Sequence, residues 1–234
     1  MPVPSIIAID GPVASGKSSV GKQLADRLGY LFFDTGILYR AITYLALRDG
    51  VPLTDGEAVA LYAVRAHVDV QPPTVADGRD STVLAEGEED ITWALRAKDV
   101  EDNVSLVAAV PGVRRVLTQQ MRRIGLRGRV VMVGRDVGTV ILPEADCKFF
   151  LTASVETRAQ RRFAEAQTRG ETRSYADILA NLRERDRIDS SRLTAPLRPA
   201  ADAVQIDTTA LDLPGVVDRL AAELAGRSAN DPAG

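Results

Sequence analysis

An α/β fold, with a central five-stranded parallel sheet flanked by helices and a small antiparallel insertion, is predicted by three features of this 234-residue sequence. First, the apolar run Ile6-Ile7-Ala8-Ile9 leads into Gly11-Pro12-Val13-Ala14-Ser15-Gly16-Lys17-Ser18 and then into a helical stretch over 19–28. Strand, glycine-bearing loop and helix in that order are the setting of a phosphate-binding loop. Second, four more compact apolar runs, at 30–33, 130–133, 149–151 and 203–206, read as buried strands separated by helical stretches, which is the rhythm of a parallel sheet. Third, residues 55–105 break that rhythm. After a helix over 57–66, short strands at 68–71 and 81–85 are separated by Pro72-Pro73 and Asp77-Gly78, a local antiparallel excursion.

The loop fits G-x-x-x-x-G-K-[ST] at every fixed position. A backbone free of bulky side chains lets successive N–H groups curl around phosphate oxygens, and the following helix adds its positive N-terminal end. Lys17 is placed to reach the outer phosphates, and Ser18, with Ser19 beside it, to hold Mg2+. Ala14 stands where glycine-richer loops carry another glycine, so the local backbone is expected to suit a residue with a Cβ. The plainer alternative is a glycine-bearing turn that happens to carry a lysine.

Composition narrows the choices. A chain of this length, 45% hydrophobic, is expected to form one α/β unit with insertions. Its net charge of −3 argues against bulk nucleic-acid or membrane-surface binding. The single cysteine, Cys147, excludes an internal disulfide framework and reads as a buried strand residue. His67 has no histidine or cysteine near it in sequence and reads as structural. Residues 1–5 lack a signal-peptide pattern and no stretch reaches membrane-spanning length, so a soluble, cytoplasmic protein is expected. Charge is unevenly spread: between Glu156 and Arg198 there are ten arginines, no lysine and seven acids. Many of these arginines belong to solvated helix faces, but a planar guanidinium is also suited to clamping phosphate.

The remaining elements follow in order. The second strand ends in Asp34-Thr35-Gly36-Ile37-Leu38-Tyr39-Arg40, and the third in Gly134-Arg135-Asp136-Val137-Gly138-Thr139. Ligands gather at the carboxyl ends of strands in open α/β sheets, so both segments are candidates for the site. A helix over 41–48 is stopped by Asp49-Gly50 and Pro52, and one helix is expected over 107–124. Ser154 opens a helix bearing Arg158, Arg161 and Arg162. A turn at Arg169-Gly170 leads to a charged helix over 175–188, and an amphipathic helix over 214–224 precedes a frayed tail.

A phosphate-binding loop does not by itself separate a switch GTPase, a motor ATPase and a small-molecule kinase. A guanine-reading Asn-Lys-x-Asp and a transporter-type Ser-Gly-Gly signature are absent, and the third strand ends in Gly134-Arg135-Asp136 rather than in an Asp-x-x-Gly switch segment or an acidic pair. Arginines at 40, 135 and 183–192 exceed what one triphosphate requires. Transfer between two anionic substrates needs that excess, because the two phosphates repel until cations neutralise them.

From Ile6 to about Leu220 the chain resembles the bacterial cytidylate kinases, within the nucleoside-monophosphate kinases. The resemblance rests on Ile9-Asp10-Gly11-Pro12 with its loop, Asp34-Thr-Gly-x-x-Tyr-Arg40, Ser105-x-Val-Ala-Ala-Val-Pro-x-Val-Arg114, Gly134-Arg-Asp-x-Gly-Thr-Val140, Glu156-x-Arg-Ala-x-Arg-Arg162, Arg185-Asp-x-x-Asp189-Ser-x-Arg192 and Pro196-Leu. The resemblance implies phosphorylation of CMP and dCMP by ATP with Mg2+, on a single kinase unit. The core would span 1–38, 108–154 and 193–227, an acceptor-binding insertion 39–107, and a helical lid 155–192; the tail 228–234 would be disordered. It further implies that Arg40, Arg135 and Arg192 grip the acceptor phosphate. Thr35, Ser105, Arg114 and Asp136 would surround the base, Arg185 and Asp189 would contact ribose or phosphate, and Arg158 and Arg162 would pack near the donor held by residues 11–19. Asp34 would lie near the metal or the acceptor oxygen, and Lys17, Arg135, Arg185 and Arg192 would carry the charge neutralisation. Where many relatives have an arginine, this chain has Ile188, which removes one lid contact. The competing readings are a kinase for UMP, AMP or a small alcohol, and a nucleotide switch or ATPase without an acceptor. A monomer is expected.

Overall fold

The computed structural model describes residues 4–168, 172–192 and 195–230. The turn expected at Arg169-Gly170 lies outside them. In chain order the elements are β1 (Ile6–Asp10), α1 (Lys17–Leu28), β2 (Leu31–Asp34), α2 (Gly36–Arg48), α3 (Gly56–Arg65), β3 (Val68–Gln71), β4 (Thr82–Ala85), β5 (Glu89–Asp90), α4 (Lys98–Ala109), α5 (Pro111–Gly125), β6 (Val130–Gly134), β7 (Cys147–Thr152), α6 (Val155–Thr168), α7 (Tyr175–Ser191), β8 (Val204–Asp207) and α8 (Leu213–Asn230). A 3-10 turn, Ala94–Arg96, precedes α4, and one π-helical turn, Val137–Ile141, follows β6. Five strands form a parallel sheet in the order β2-β6-β1-β7-β8, and β3, β4 and β5 form a separate three-stranded sheet.

By contact density the chain divides into two units, residues 1–28 with 131–234, and residues 29–130. In the first, β1 is buried from Ile7 to Asp10 and pairs parallel with β7, Ile7 opposite Cys147 and Asp10 opposite Phe150. Strand β7 pairs in turn with β8, placing Thr152 opposite Asp207. Strands buried on both faces read as continuous apolar runs, which is why IIAI and FFL stood out in the sequence. Cys147 is fully buried in β7.

Helices α6 and α7 form an antiparallel pair in the first unit. Ala159, Ala166, Ile178 and Leu182 make a buried seam with Val13 of the loop, and Ala14, Val155, Phe163, Tyr175 and Leu179 pack around it. Phe163 and Tyr175 meet edge to face, with ring centres 6.2 Å apart. Ser174 caps α7 by accepting the Asp177 N–H at 3.1 Å. The last helix is longer than the sequence suggested, continuing to Asn230, so 227–230 are helical.

In the second unit, Asp55 caps α3 by accepting the Glu57 and Ala58 N–H groups, each at 3.0 Å. Strands β3 and β4 are antiparallel, with Val70 opposite Val83 and both fully buried. Arg79, buried beside them, donates to Asp77 and Asp90 and ties the loop after β3 to β5. His67 is exposed just ahead of β3. The single helix expected over 107–124 is instead two, α4 and α5, broken at Val110 (φ −74°, ψ 116°). Pro111 is the cause: its ring drives the preceding residue out of the helical region, and its missing N–H suits the first position of a new helix.

Helices α3 and α5 approach closely at Gly112, where an added Cβ would lie 2.6 Å from Ala60 Cβ. Gly112→Ala is therefore expected to lower unfolding stability by about 1–2 kcal/mol, since overpacking outweighs the helix propensity gained. Urea denaturation measures this, and an unchanged or higher stability would contradict the packing.

Candidate functional site

The phosphate-binding loop leaves β1 at Asp10 and enters α1 at Lys17. Gly11 is required by a close approach, because a Cβ there would sit 2.3 Å from the Leu151 carbonyl oxygen. Gly16 has φ +90°. Ala14 also has φ +59°, so the expectation of a backbone suited to a Cβ is corrected: the residue is held in the left-handed region. That costs about 1–2 kcal/mol, and the packing of Ala14 against the α6–α7 seam offsets it. Lys17 is buried and its Nζ donates to the Pro12 carbonyl at 2.9 Å, folding the ammonium back over the loop. Ser15 Oγ is buried without a hydrogen-bond partner, while Ser18 and Ser19 are exposed at the start of α1. No acid stands in the first turn of α1 to compete for an anion at its positive end.

Around this loop the first unit gathers most of its predicted residues into a network. Arg158 is 4% exposed and its donors are engaged: Nε to Ala153 O at 3.0 Å, Nη1 to Val13 O at 3.1 Å, and Nη1 and Nη2 to the two Asp186 oxygens. It straps α6 and α7 to the loop. Arg161 donates to the Thr208 hydroxyl and carbonyl at 3.1 and 2.6 Å, and the single Thr208 O–H is shared between the Thr152 and Ser15 carbonyls at 3.0 and 3.3 Å. Arg162 is partly exposed and paired with Glu165 at 2.8 Å. Ile188 is exposed on α7.

A second knot forms around Asp189, which is 7% exposed. Arg135 Nε donates to it at 2.8 Å, and Arg192 pairs with its other oxygen. Arg185 is exposed over the residue as a whole, yet partial withdrawal of its charged end from water, followed by the charges of Arg135 and Arg162, holds it below the usual guanidinium value. An arginine crowded by two others is stabilised by an incoming anion.

Asp136, 7% exposed, stands directly ahead of the π-helical turn Val137–Ile141. Just below it lies Asp10, 3% exposed, whose oxygens accept the Val137 and Gly138 N–H groups, each at 2.8 Å. Burial pushes Asp10 up to about 6; the two N–H donors and Lys17 pull the other way, and the charge of Asp136 adds to the rise.

In the second unit, Asp34 ends β2 and its Oδ1 accepts the Gly36 N–H at 3.0 Å, while Thr35 is buried beside it. Arg40 on α2 reaches the Leu95 carbonyl at 3.5 Å, and the Arg114 guanidinium lies over the Tyr39 ring, 5.7 Å from its centre. Ser105 is exposed on α4.

Three of these residues, Asp10, Asp186 and Thr208, carried no role in the sequence reading. Asp10 and Thr208 stand at the carboxyl ends of β1 and β8, the position that singled out Asp34 and Asp136, and Asp186 lies inside the quoted Arg185-Asp-x-x-Asp189 segment. Among the described residues no group of three or more His, Cys, Asp or Glu is arranged to hold a metal, and no helix is long and apolar enough to cross a membrane.

The displaced titration of Asp10 is directly testable. A carboxyl whose folded pKa lies above its unfolded value of 3.8 favours the folded state below that value and loses the advantage as pH rises through about 6. Carbon-detected NMR should find the Asp10 midpoint near 6 in the nucleotide-free protein, whereas a midpoint near 4 would contradict the environment described.

A family model for cytidylate kinase matches residues 7–225 of the chain. The cytidylate kinase of Herpetosiphon aurantiacus is 54% identical over 208 residues, covering 89% of each chain. That of Chloroflexus aggregans is 50% identical over 204 residues, 87% of this chain and 86% of the relative. That of Stutzerimonas stutzeri is 44% identical over 226 residues, 97% of each.

Proposed function

The chain belongs to the cytidylate kinase family, and we propose that it transfers the terminal phosphoryl group of ATP to CMP and dCMP, giving CDP and dCDP. The observation that carries this reading is the arginine cluster of the first unit, where Arg135 and Arg192 pair with one buried carboxylate, Asp189, and Arg185 stands within electrostatic reach of Arg135. That cluster is more positive charge than the loop's own triphosphate needs, and it suits a second phosphate.

The proposed roles are those the family resemblance implies, and the charges of the side chains suit them. The loop residues Gly11 to Ser19 cradle the ATP phosphates, with Lys17 turning outward from the Pro12 carbonyl to bridge donor and acceptor. Arg135, Arg192 and Arg40 hold the acceptor phosphate, and Arg185 adds charge as the transferring group passes. Asp136, with Thr35, Ser105 and Arg114, reads the base: a carboxylate accepts from the cytosine N4 amino group but faces an oxygen in uracil. Asp189 orients Arg135 and Arg192 and contacts the ribose. Asp34 is placed as an orienting carboxylate rather than a general base, since the acceptor is already a phosphate anion and positioning with charge neutralisation carries the rate. Residues 155–192, bearing α6 and α7, act as a lid over the donor, with Arg162 released from Glu165 to meet it, and 39–107 as the acceptor-binding insertion.

Magnesium fits the oxygen chemistry present. Ser18 offers one exposed hydroxyl at the start of α1, and the remaining ligands would be phosphate oxygens and water, the set that this ion prefers. When bound it would neutralise phosphate charge. The proposal includes a cytoplasmic monomer that takes nucleotides rather than nucleic acid as its ligands.

A coupled assay of ADP release with ATP and each monophosphate in turn tests the reading. Turnover with CMP and dCMP far above UMP and AMP is expected; slow release indifferent to acceptor would overturn it. In the same assay Asp136→Asn is expected to cut the CMP-over-UMP preference by about tenfold or more, as one charge-assisted base contact would, while the KM for ATP stays close to wild type. Equal losses with both acceptors would remove Asp136 from base reading.

A further inference from the structure

Asp10 has no part in the mechanism above, yet it is a buried carboxylate between the two substrate-binding segments of the first unit. It ends β1, one residue before Gly11, and its oxygens each accept one backbone N–H, from Val137 and Gly138. Those are the first residues of the π-helical turn, directly after Asp136, whose backbone at φ −146° and ψ 23° belongs to neither helix nor strand. We infer that Asp10 is a positioning residue for acceptor recognition: by holding both N–H groups it fixes the turn that aims Arg135 and Asp136. This role rests on the cytidylate kinase reading.

The chemistry of the pair of bonds makes the residue type specific. A carboxylate accepts at both oxygens, whereas an amide of the same size offers one acceptor and one donor. Whichever way the amide is turned, an NH2 faces one of the two N–H groups. The fit is close as well. A Cβ on Gly138 would lie 3.4 Å from Asp10 Oδ2 and 3.2 Å from Lys148 Cδ, so the turn is wedged between the carboxylate and the lysine stem. Lys148 is itself held by Asp202 at 2.7 Å. Asp10 thus faces two N–H groups from the turn, the charge of Asp136 beyond them and the charge of Lys17 from the loop. A residue so placed is able to keep the base-reading side chain in register with the strand that feeds the phosphate-binding loop.

Steady-state kinetics of Asp10→Asn, varying CMP, UMP and ATP separately, tests the inference. The kcat/KM for CMP and the CMP-over-UMP preference should both fall by about tenfold or more, the scale of one lost charge-assisted bond plus an opposed donor, with the KM for ATP changed by less than about threefold. In the Asp10→Asn/Asp136→Asn cycle the two losses of preference should not add, because one residue acts through the other. Gly138→Ala provides a second route to the same turn with the carboxylate retained, and it should also erode the preference if Asp10→Asn fails to fold. Additive losses, an intact preference in the folded variants, or a KM for ATP that rises as much as that for CMP would overturn the role. A wild-type enzyme that ignores CMP would instead overturn the premise, and the positioning role with it.

Discussion

Repulsion between two phosphate-bearing substrates is the constraint on which this site depends. Donor and acceptor phosphates approach only where cations have already been fixed between them, and fixing several guanidinium groups together is itself unfavourable. The first unit pairs its arginines with acids, Asp189 buried and Asp186 half-buried. Asp189 holds Arg135 and Arg192, and Asp186 holds Arg158. Arg185 is left beside Arg135 and Arg162 with less compensation, and partial burial together with those charges holds it below the usual guanidinium value. On the proposed acceptor-phosphate role of this knot, an incoming phosphate would replace or join the carboxylates, and the cost of gathering positive charge would be met before the substrates arrive.

The same acids couple the loop to the helices that carry the arginines. Val13 and Ala14 pack into the α6–α7 seam, and Arg158 joins the Val13 carbonyl to Asp186 on α7. Thr208 ties the Ser15 carbonyl to the end of β7 through Thr152 and to α6 through Arg161. Movement of α6 and α7 would therefore be felt at the loop backbone. The strained φ of Ala14 lies at the centre of that contact.

Much of the fold was legible because its determinants are local. The five core strands are short apolar runs, and the phosphate-binding loop is a motif whose geometry follows from its glycines and its flanks. The break at Val110 was hidden because Val107, Val110, Val113 and Leu117, three, three and four residues apart, keep a helical spacing across it, although Pro111 marked it. Side-chain roles were less legible where the partner is distant in sequence. Arg158 is expected beside the donor, and nothing local in the sequence shows that it also straps α6 to α7 through Asp186, 28 residues away. Asp10 looked like a strand's last residue, since nothing local announces that Val137 and Gly138 will present their N–H groups to it. The resemblance grouped Arg135 with Arg192 and set Asp189 apart with Arg185, and only the fold shows Asp189 ion-paired to both of those arginines.

If that knot exists to receive the acceptor's phosphate, the phosphate must supply most of the acceptor's affinity. Titration calorimetry comparing CMP with cytidine, which shares the base and sugar and lacks only the phosphate, measures this directly. The account predicts that cytidine binds weaker by about two orders of magnitude or more, the scale of two charge-assisted contacts. Equal affinities for the two would contradict it.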